Sequence, residues 1–257
     1  MKTIILCGGI GTRLKEETEF KPKPMVLIGD KPIIWHIMKI YAHFGFNEFI
    51  LALGYKGDYI KDYFLNYKAF TSNFTLNTKS HKTVFHKKDK NNIDDFKITF
   101  VDTGLDALPG ERILRCQKYI PKKDKYFMVT YGDGVADINL RKLVAFHKKQ
   151  KTIGTITGIH PRFKFGTVKM KGDLVTEFSE KPIINDSVNG GYMIFTKKYF
   201  QYQKKHELEH AALKRLVDIK QLSLYKHTGF WLAVDTNKEY EELKWIWSNG
   251  KALWKVW

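Results

Sequence analysis

Five short apolar runs recur along the first part of the chain: TIILC (3–7), EFILALG (48–54), FKITFVDTG (96–104), KYFMVTYGDG (125–134) and TIGTITGI (152–159). Stretches with helical patterning lie between them. A strand buried on both faces reads as a continuous apolar run rather than an alternating one. A strand followed by a helix and then another strand closes a parallel crossover. The spacing therefore predicts an α/β fold, a doubly wound and mostly parallel Rossmann-like sheet flanked by helices. The first helix is expected through IIWHIMKIYAHF, capped by Asp30, with Pro32 in its first turn and a stop near Gly45. DYIKDYFLNY, GERILRCQKYI and LRKLVAFHKKQ read as further helices.

Beyond residue 160 the pattern changes. FGTVKM, LVTEFSEKP and GGYMIF are short strand-like runs with no long helix between them, which predicts a small added β lobe. A helical piece near 206–220, then SLYKHTGFWLAVDT and a last amphipathic helix complete the chain. A length of 257 residues suits one domain over 1–257, with 1–150 and 151–257 as its two halves. Residues 66–96 form one long polar insertion, read as a lid, a partner contact or a partly ordered excursion.

Lys and Arg number 44 against 27 Asp and Glu, a net charge of +17. Such a surplus favours anionic partners: nucleic acid, an anionic membrane face or phosphorylated small molecules. The lysines are widely spread, so a solvated basic surface is the plain alternative. The densest cluster, HKTVFHKKDK (81–90), reads as an exposed loop. No run is long and apolar enough to span a membrane, and TIILC is too short for a signal peptide. Two cysteines, Cys7 and Cys116, cannot build a disulfide framework, and Cys7 reads as a buried strand residue. The expected location is the cytoplasm.

CGGIGTRL (7–14) carries the sharpest local signal. A glycine-rich turn leaving a strand lets backbone N–H groups approach a phosphate chain closely. Gly8, Gly9 and Gly11 suit such a cradle, Thr12 adds a hydroxyl and Arg13 a rigid cationic fork. An ordinary tight turn is the plain alternative. GGIGTR lacks the last glycine of a dinucleotide fingerprint, and no GK[ST] ending marks a P-loop. Ten residues on, KPKPM holds Lys23 on an extended segment between Pro22 and Pro24, where it can add a charge to the same polyphosphate.

These residues carry a resemblance. GGIGTRL, KPKPM and DKPIIWHIM, followed in order by GYKGDYIKDYF, VDTG, TYGDGVAD, FHKK, FSEKP, NGGYMIF, GFWLAVDT and GKALWKVW, resemble the sugar-1-phosphate nucleotidyltransferases. Among these the likeness is closest to the glucose-1-phosphate cytidylyltransferases. The resemblance implies that CTP and a sugar 1-phosphate, glucose 1-phosphate, give CDP-glucose and pyrophosphate. It implies Arg13 and Lys23 as the charge-stabilising catalytic residues, and Asp133 and Asp235 as ligands of Mg²⁺. Leu6, Gly8, Gly9, Gly11, Thr12, Gly110, Arg112, Tyr131, Gly132 and Asp133 would join Arg13 and Lys23 around the nucleotide. Glu180, Lys181, Asn189 and Gly190 would hold the sugar phosphate, making the β lobe and the second half the acceptor side. A homo-oligomer is also implied.

Each assignment has a plainer reading. Asp133 is also a turn aspartate, Asp235 also a cap for the last helix, EKP an exposed loop and NGG a strand-entry turn. The chain departs from the family pattern at Pro109 and Glu111, where the family reads closer to TGGRL, and at Glu209–His210, where it has glutamate followed by proline. The first departure bears on base choice. Trp245, Trp247, Trp254 and Trp257 are expected to pack on the sheet or at a subunit interface rather than to meet a membrane or nucleic acid. No nucleic-acid reader motif is visible outside that tail, so nucleic acid is not an expected partner.

Overall fold

The computed structural model describes residues 1–86, 94–161, 165–180, 182 and 186–257. Strand β1 (Thr3–Leu6) leads through a single helical turn, α1 (Lys15–Thr18), to a hairpin of β2 (Leu27–Ile28) and β3 (Lys31–Pro32). Then come α2 (Ile33–His43), β4 (Glu48–Leu53), α3 (Gly57–Leu65), α4 (Tyr67–Thr71) and the hairpin β5 (Phe74–Asn77) and β6 (Lys82–Phe85). β7 (Lys97–Asp102), α5 (Pro109–Cys116), β8 (Tyr126–Tyr131), β9 (Gly134–Ala136), α6 (Leu140–Gln150) and β10 (Gly154–Ile159) follow. The rest is β11 (Thr167–Lys171), β12 (Leu174–Ser179), β13 (Val188–Thr196), α7 (Glu209–Asp218), β14 (Leu222–Lys226), β15 (Trp231–Ala233) and α8 (Asn237–Ser248).

Seven strands form one sheet in the order β14-β10-β13-β8-β1-β4-β7. β8, β1, β4 and β7 run parallel, as do β10 and β14, while β13 is antiparallel to both its neighbours. The expected doubly wound, mostly parallel sheet is therefore present. Strand residues alternate between the faces, as a period of two requires. Ile5, Leu51 and Met128 join the core under α2, α6 and α8, whereas Ile4, Ile50 and Val129 join the core under α5 and α7. Ile4 and Ile5 are wholly buried, and each such side chain stabilises the fold by about 1.5–3 kcal/mol.

Two expectations need correction. GGYMIF does not belong to an added lobe. It is the middle of nine-residue β13, the inner strand joining the two parallel groups, because its apolar residues must be buried on both faces. Of the three runs expected in the lobe, only β11 and β12 stand apart from the main sheet, as a two-stranded hairpin. Asp30 does not cap α2. It lies in the β2–β3 turn after Gly29 (φ +66°), and extended Pro32 is the capping residue.

Residues 66–86 and 94–96 of the polar insertion are described, and they include α4 and the exposed β5–β6 hairpin. Asp94 ties α4 back to α2: its Oδ1 accepts from Lys39 Nζ at 2.8 Å, and its Oδ2 accepts from Trp35 Nε1 at 2.7 Å and from the Tyr67 hydroxyl. At the other end of the chain, Trp254 is wholly buried and Trp247 and Trp257 pack on the His36 ring, while Trp245 stays exposed. His36 Nε2–H donates to Ile28 O at 2.9 Å, and its Nδ1 accepts from Trp254 Nε1 at 3.4 Å. Burial lowers the His36 pKa to about 4, keeping the ring neutral. Among the described residues no helix is long and apolar enough to cross a membrane.

Candidate active site

The strand order reverses direction at β1: β4 and β7 extend to one side, β8 to the other. In open α/β sheets the crevice at such a switch point, beyond the carboxyl ends of the strands, receives the ligand. The turn after β1 and the turn after β8 flank that crevice.

Leu6 ends β1 between Ala52 and Tyr131, and Cys7 N still bonds to Ala52 O at 3.0 Å. The chain then leaves the sheet through Gly8. The three glycines answer different demands. A Cβ at Gly8 would fall 2.2 Å from Arg112 Nη1; Gly11 has φ +71° and lies against Thr18 and Lys23; a Cβ at Gly9 would meet nothing within 4 Å. Thr18 Oγ1 closes the loop by donating to Gly11 O at 3.1 Å and Leu14 O at 2.8 Å. Thr12 and Arg13 are exposed on its outer turn.

Lys23, set between the two prolines, aims its ammonium across the crevice. Nζ lies 2.5 Å from Asp133 Oδ2 and 2.9 Å from Asp235 Oδ1. Arg13 Nη1 lies 3.6 Å from Asp235 Oδ2. Burial opposes the charge on Lys23, but Asp133 and then Asp235 outweigh it, and the ammonium's pKa stands above its ordinary value. The short β9–β15 pairing brings the two aspartates together: Gly134 pairs with Ala233, and Val234 N donates to Asp133 O at 2.9 Å. Gly132 is needed beside them, because a Cβ there would sit 2.8 Å from Leu6 O.

Asp235 is not the cap of α8. Thr236 is, in a capping box with Glu239, whose Oε2 accepts from Thr236 N at 2.8 Å and from Asp235 N at 2.9 Å. Glu239 thus holds the backbone that carries Asp235. The T-x-x-E spacing was legible in the sequence as a capping box, although its grip on Asp235 was not.

On the other side of the crevice Asn189 and Gly190 open β13. Asn189 Oδ1 accepts from Gly191 N at 3.0 Å, and Gly190 O accepts from Trp231 Nε1 at 2.8 Å. The Tyr131 ring lies against Gly191 (φ +82°), and its hydroxyl donates to Glu209 Oε1 at 2.6 Å. Burial first, and then Glu209, keep that hydroxyl protonated. Glu209 Oε2 is buried with no hydrogen-bond partner among the described residues. Glu180 follows β12 and is exposed. Lys181 lies outside the described residues.

Gly110 and Arg112 sit behind the glycine-rich loop. A Cβ at Gly110 would fall 2.4 Å from Gln203 Nε2, so this glycine faces the approach to α7. Arg112 is buried, and its Nη1 and Nη2 donate to five oxygens of the surrounding loops. Glu111 points elsewhere, to Arg115 Nη2 at 2.7 Å and to His206 N at 3.2 Å.

Residues 2–244 match the nucleotidyl transferase family, and the chain belongs to that family. Over its full length it is 43% identical to a Bacillus subtilis (strain 168) protein named "Probable glucose-1-phosphate cytidylyltransferase", with 100% of each chain covered. It is 39% identical to the glucose-1-phosphate cytidylyltransferase of Salmonella typhimurium, again with 100% of each chain covered. Among solved structures, apo UDP-glucose pyrophosphorylase shares the fold with a TM-score of 0.70 at 18% identity, covering 98% of this chain and 99% of that one. The family likeness read from the motifs is therefore present over the whole chain.

Proposed function

We propose that the chain catalyses the joining of CTP and glucose 1-phosphate into CDP-glucose and pyrophosphate. An oxygen of the sugar phosphate attacks the α-phosphorus in line, the bond between the α-phosphorus and the bridging oxygen breaks, and pyrophosphate leaves with those electrons. Two anions have to meet, so the protein's work is positioning and charge neutralisation. One observation carries the reading: two carboxylates and two cations converge at the switch point of the sheet, in a chain alike over its whole length to two proteins named for this reaction.

The loop from Gly8 to Arg13 offers backbone N–H groups, and open space over Gly9 admits a phosphate chain. Arg13 and Lys23 neutralise the triphosphate as charge shifts to the leaving group. Leu6, Thr12, Tyr131 and Gly132 wall the nucleotide side. Asn189, Gly190, Glu180 and Lys181 serve the acceptor, with Glu209 Oε2 ready to accept from a hydroxyl beside Tyr131. Asp133 and Asp235 would hold Mg²⁺, which suits one or two carboxylates completed by substrate phosphates. When bound, the ion supplies Lewis-acid stabilisation of the phosphate oxygens. Glu111 faces Arg115 and His206, and Pro109 starts α5. These two departures from the family pattern thus avoid the crevice, which supports cytosine as the base. The β11–β12 hairpin leaves Val168, Met170, Leu174 and Phe178 in water, which supports self-association.

Pyrophosphate release with Mg²⁺ and glucose 1-phosphate, run separately with CTP, UTP, dTTP, ATP and GTP, tests the reading. Release with CTP is expected. Release with another nucleotide instead corrects the base, and silence with all of them rejects the reaction.

A further inference from the structure

Arg112 is a long, charged side chain folded entirely inside the protein, 4% exposed. Nη1 donates to Leu53 O at 3.1 Å, Thr103 Oγ1 at 2.7 Å and Gly104 O at 2.7 Å. Nη2 donates to Gly8 O at 3.1 Å and Leu105 O at 2.9 Å. Four Nη hydrogens thus face five acceptors, and none is left over. Those acceptors belong to the segments that leave β1, β4 and β7, so one planar fork ties three neighbouring strand ends together.

The sequence makes room for this fork. A Cβ at Gly8 would meet Arg112 Nη1 at 2.2 Å and Cζ at 2.3 Å, and a Cβ at Gly54 would meet Nη1 at 2.4 Å. Neither glycine has the positive φ that would demand glycine for the backbone's sake. At Gly8 the three atoms nearest such a Cβ all belong to Arg112. The guanidinium therefore accounts for the lack of a side chain there.

We propose that Arg112 is a positioning residue that holds the turn after β1 in place through Gly8 O, so that the phosphate-facing part of the loop is set by Arg112 without Arg112 touching the ligand. This rests on reading residues 8–13 as the nucleotide loop. Lysine cannot substitute, because a single ammonium does not span acceptors spread over three strand ends.

The test is a double-mutant cycle of Gly8→Ala and Arg112→Met, read by thermal unfolding and by binding of inorganic tripolyphosphate, which has no base. Gly8→Ala is expected to lower Tm in the parent background and to cost far less alongside Arg112→Met, where the colliding head is gone. Arg112→Met is expected to weaken tripolyphosphate and to raise the CTP KM about tenfold, equivalent to about 1.4 kcal/mol, with the glucose 1-phosphate KM unmoved. Arg112→Lys should not restore either value. An equal cost of Gly8→Ala in both backgrounds overturns the proposal. So does tripolyphosphate binding at the parent level alongside a raised CTP KM, since that assigns Arg112 to the base. Where Arg112→Met is insoluble, Arg112→Gln carries the same cycle. Unfolding and tripolyphosphate binding need no turnover, so they decide on Arg112 even if the parent protein proves inactive with CTP.

Discussion

Lys23 Nζ lies 2.5 Å from Asp133 Oδ2, and the same ammonium reaches Asp235 Oδ1 at 2.9 Å. One residue of the chain therefore neutralises both carboxylates assigned to the metal. The cation proposed to serve the phosphates during turnover holds both aspartates in this structure.

Lys23→Met removes that internal cation. Turnover should fall by about 100-fold or more, the scale of losing one preorganised charge contact in a transition state. Binding of Mn²⁺ without nucleotide, followed by its electron paramagnetic resonance signal, should tighten because the carboxylates lose their competitor. Unchanged Mn²⁺ affinity would mean that the ammonium and the metal do not share a place.

Asp235→Asn keeps the shape and removes the charge. Pyrophosphate release should drop below detection while circular dichroism and Tm stay near the parent. Full activity would remove Asp235 from the metal site. Glu239→Ala provides the contrast: loss of the capping box should cost about 1 kcal/mol of stability, with a partial fall in kcat, because Asp235 N loses its partner.

Gly9 stands in open space. Gly9→Ala should leave Tm within experimental error yet raise the CTP KM, because the new methyl projects where the ligand approaches. A lowered Tm with unchanged KM would make Gly9 a folding residue.

His36 and His147 carry the pH dependence of stability. Burial lowers both, each to about 4, from an ordinary 6.5. In the unfolded chain each binds a proton near 6.5, so in the window from about 6.5 down to about 4 the unfolded state holds more protons. Stability is then complete above the upper value and falls with acidification, by an order of 3 kcal/mol for wholly buried His36. Thermal unfolding between pH 7 and 4.5 should show the loss, and a flat Tm would contradict it.

The parallel strands and their helices were readable because a run buried on both faces has few alternatives. TIILC and EFILALG became β1 and β4 with little shift at their ends. β13 was misplaced because sequence shows that GGYMIF is apolar but not where in the sheet it pairs. Asp30 misled because D-K-P reads as a helix start, and only the pairing of Leu27 with Pro32 reveals a hairpin. Arg13, Lys23, Asp133 and Asp235 were legible through their motifs, and the structure brings them together. The environment of Arg112 was not legible, since its five acceptors come from segments as far away in sequence as Gly8. Glu239 was legible as the far end of a T-x-x-E capping box, but its second bond, to Asp235 N, was not, because that partner is a backbone N–H outside the box pattern.

The place of β13 also has a consequence for synthesis. β8 pairs with β1 on one edge, and its other edge waits for a strand that ends at Thr196. Until the ribosome has released that strand, Phe127 and Val129 line an open apolar edge, the kind of surface that recruits other chains. Asp235 comes later still, so a nascent chain cannot assemble its carboxylate pair until about a hundred residues beyond Asp133 have been made. A chain stopped before Thr196 would therefore lack its carboxylate pair and carry an unpaired, adhesive strand edge at the same time.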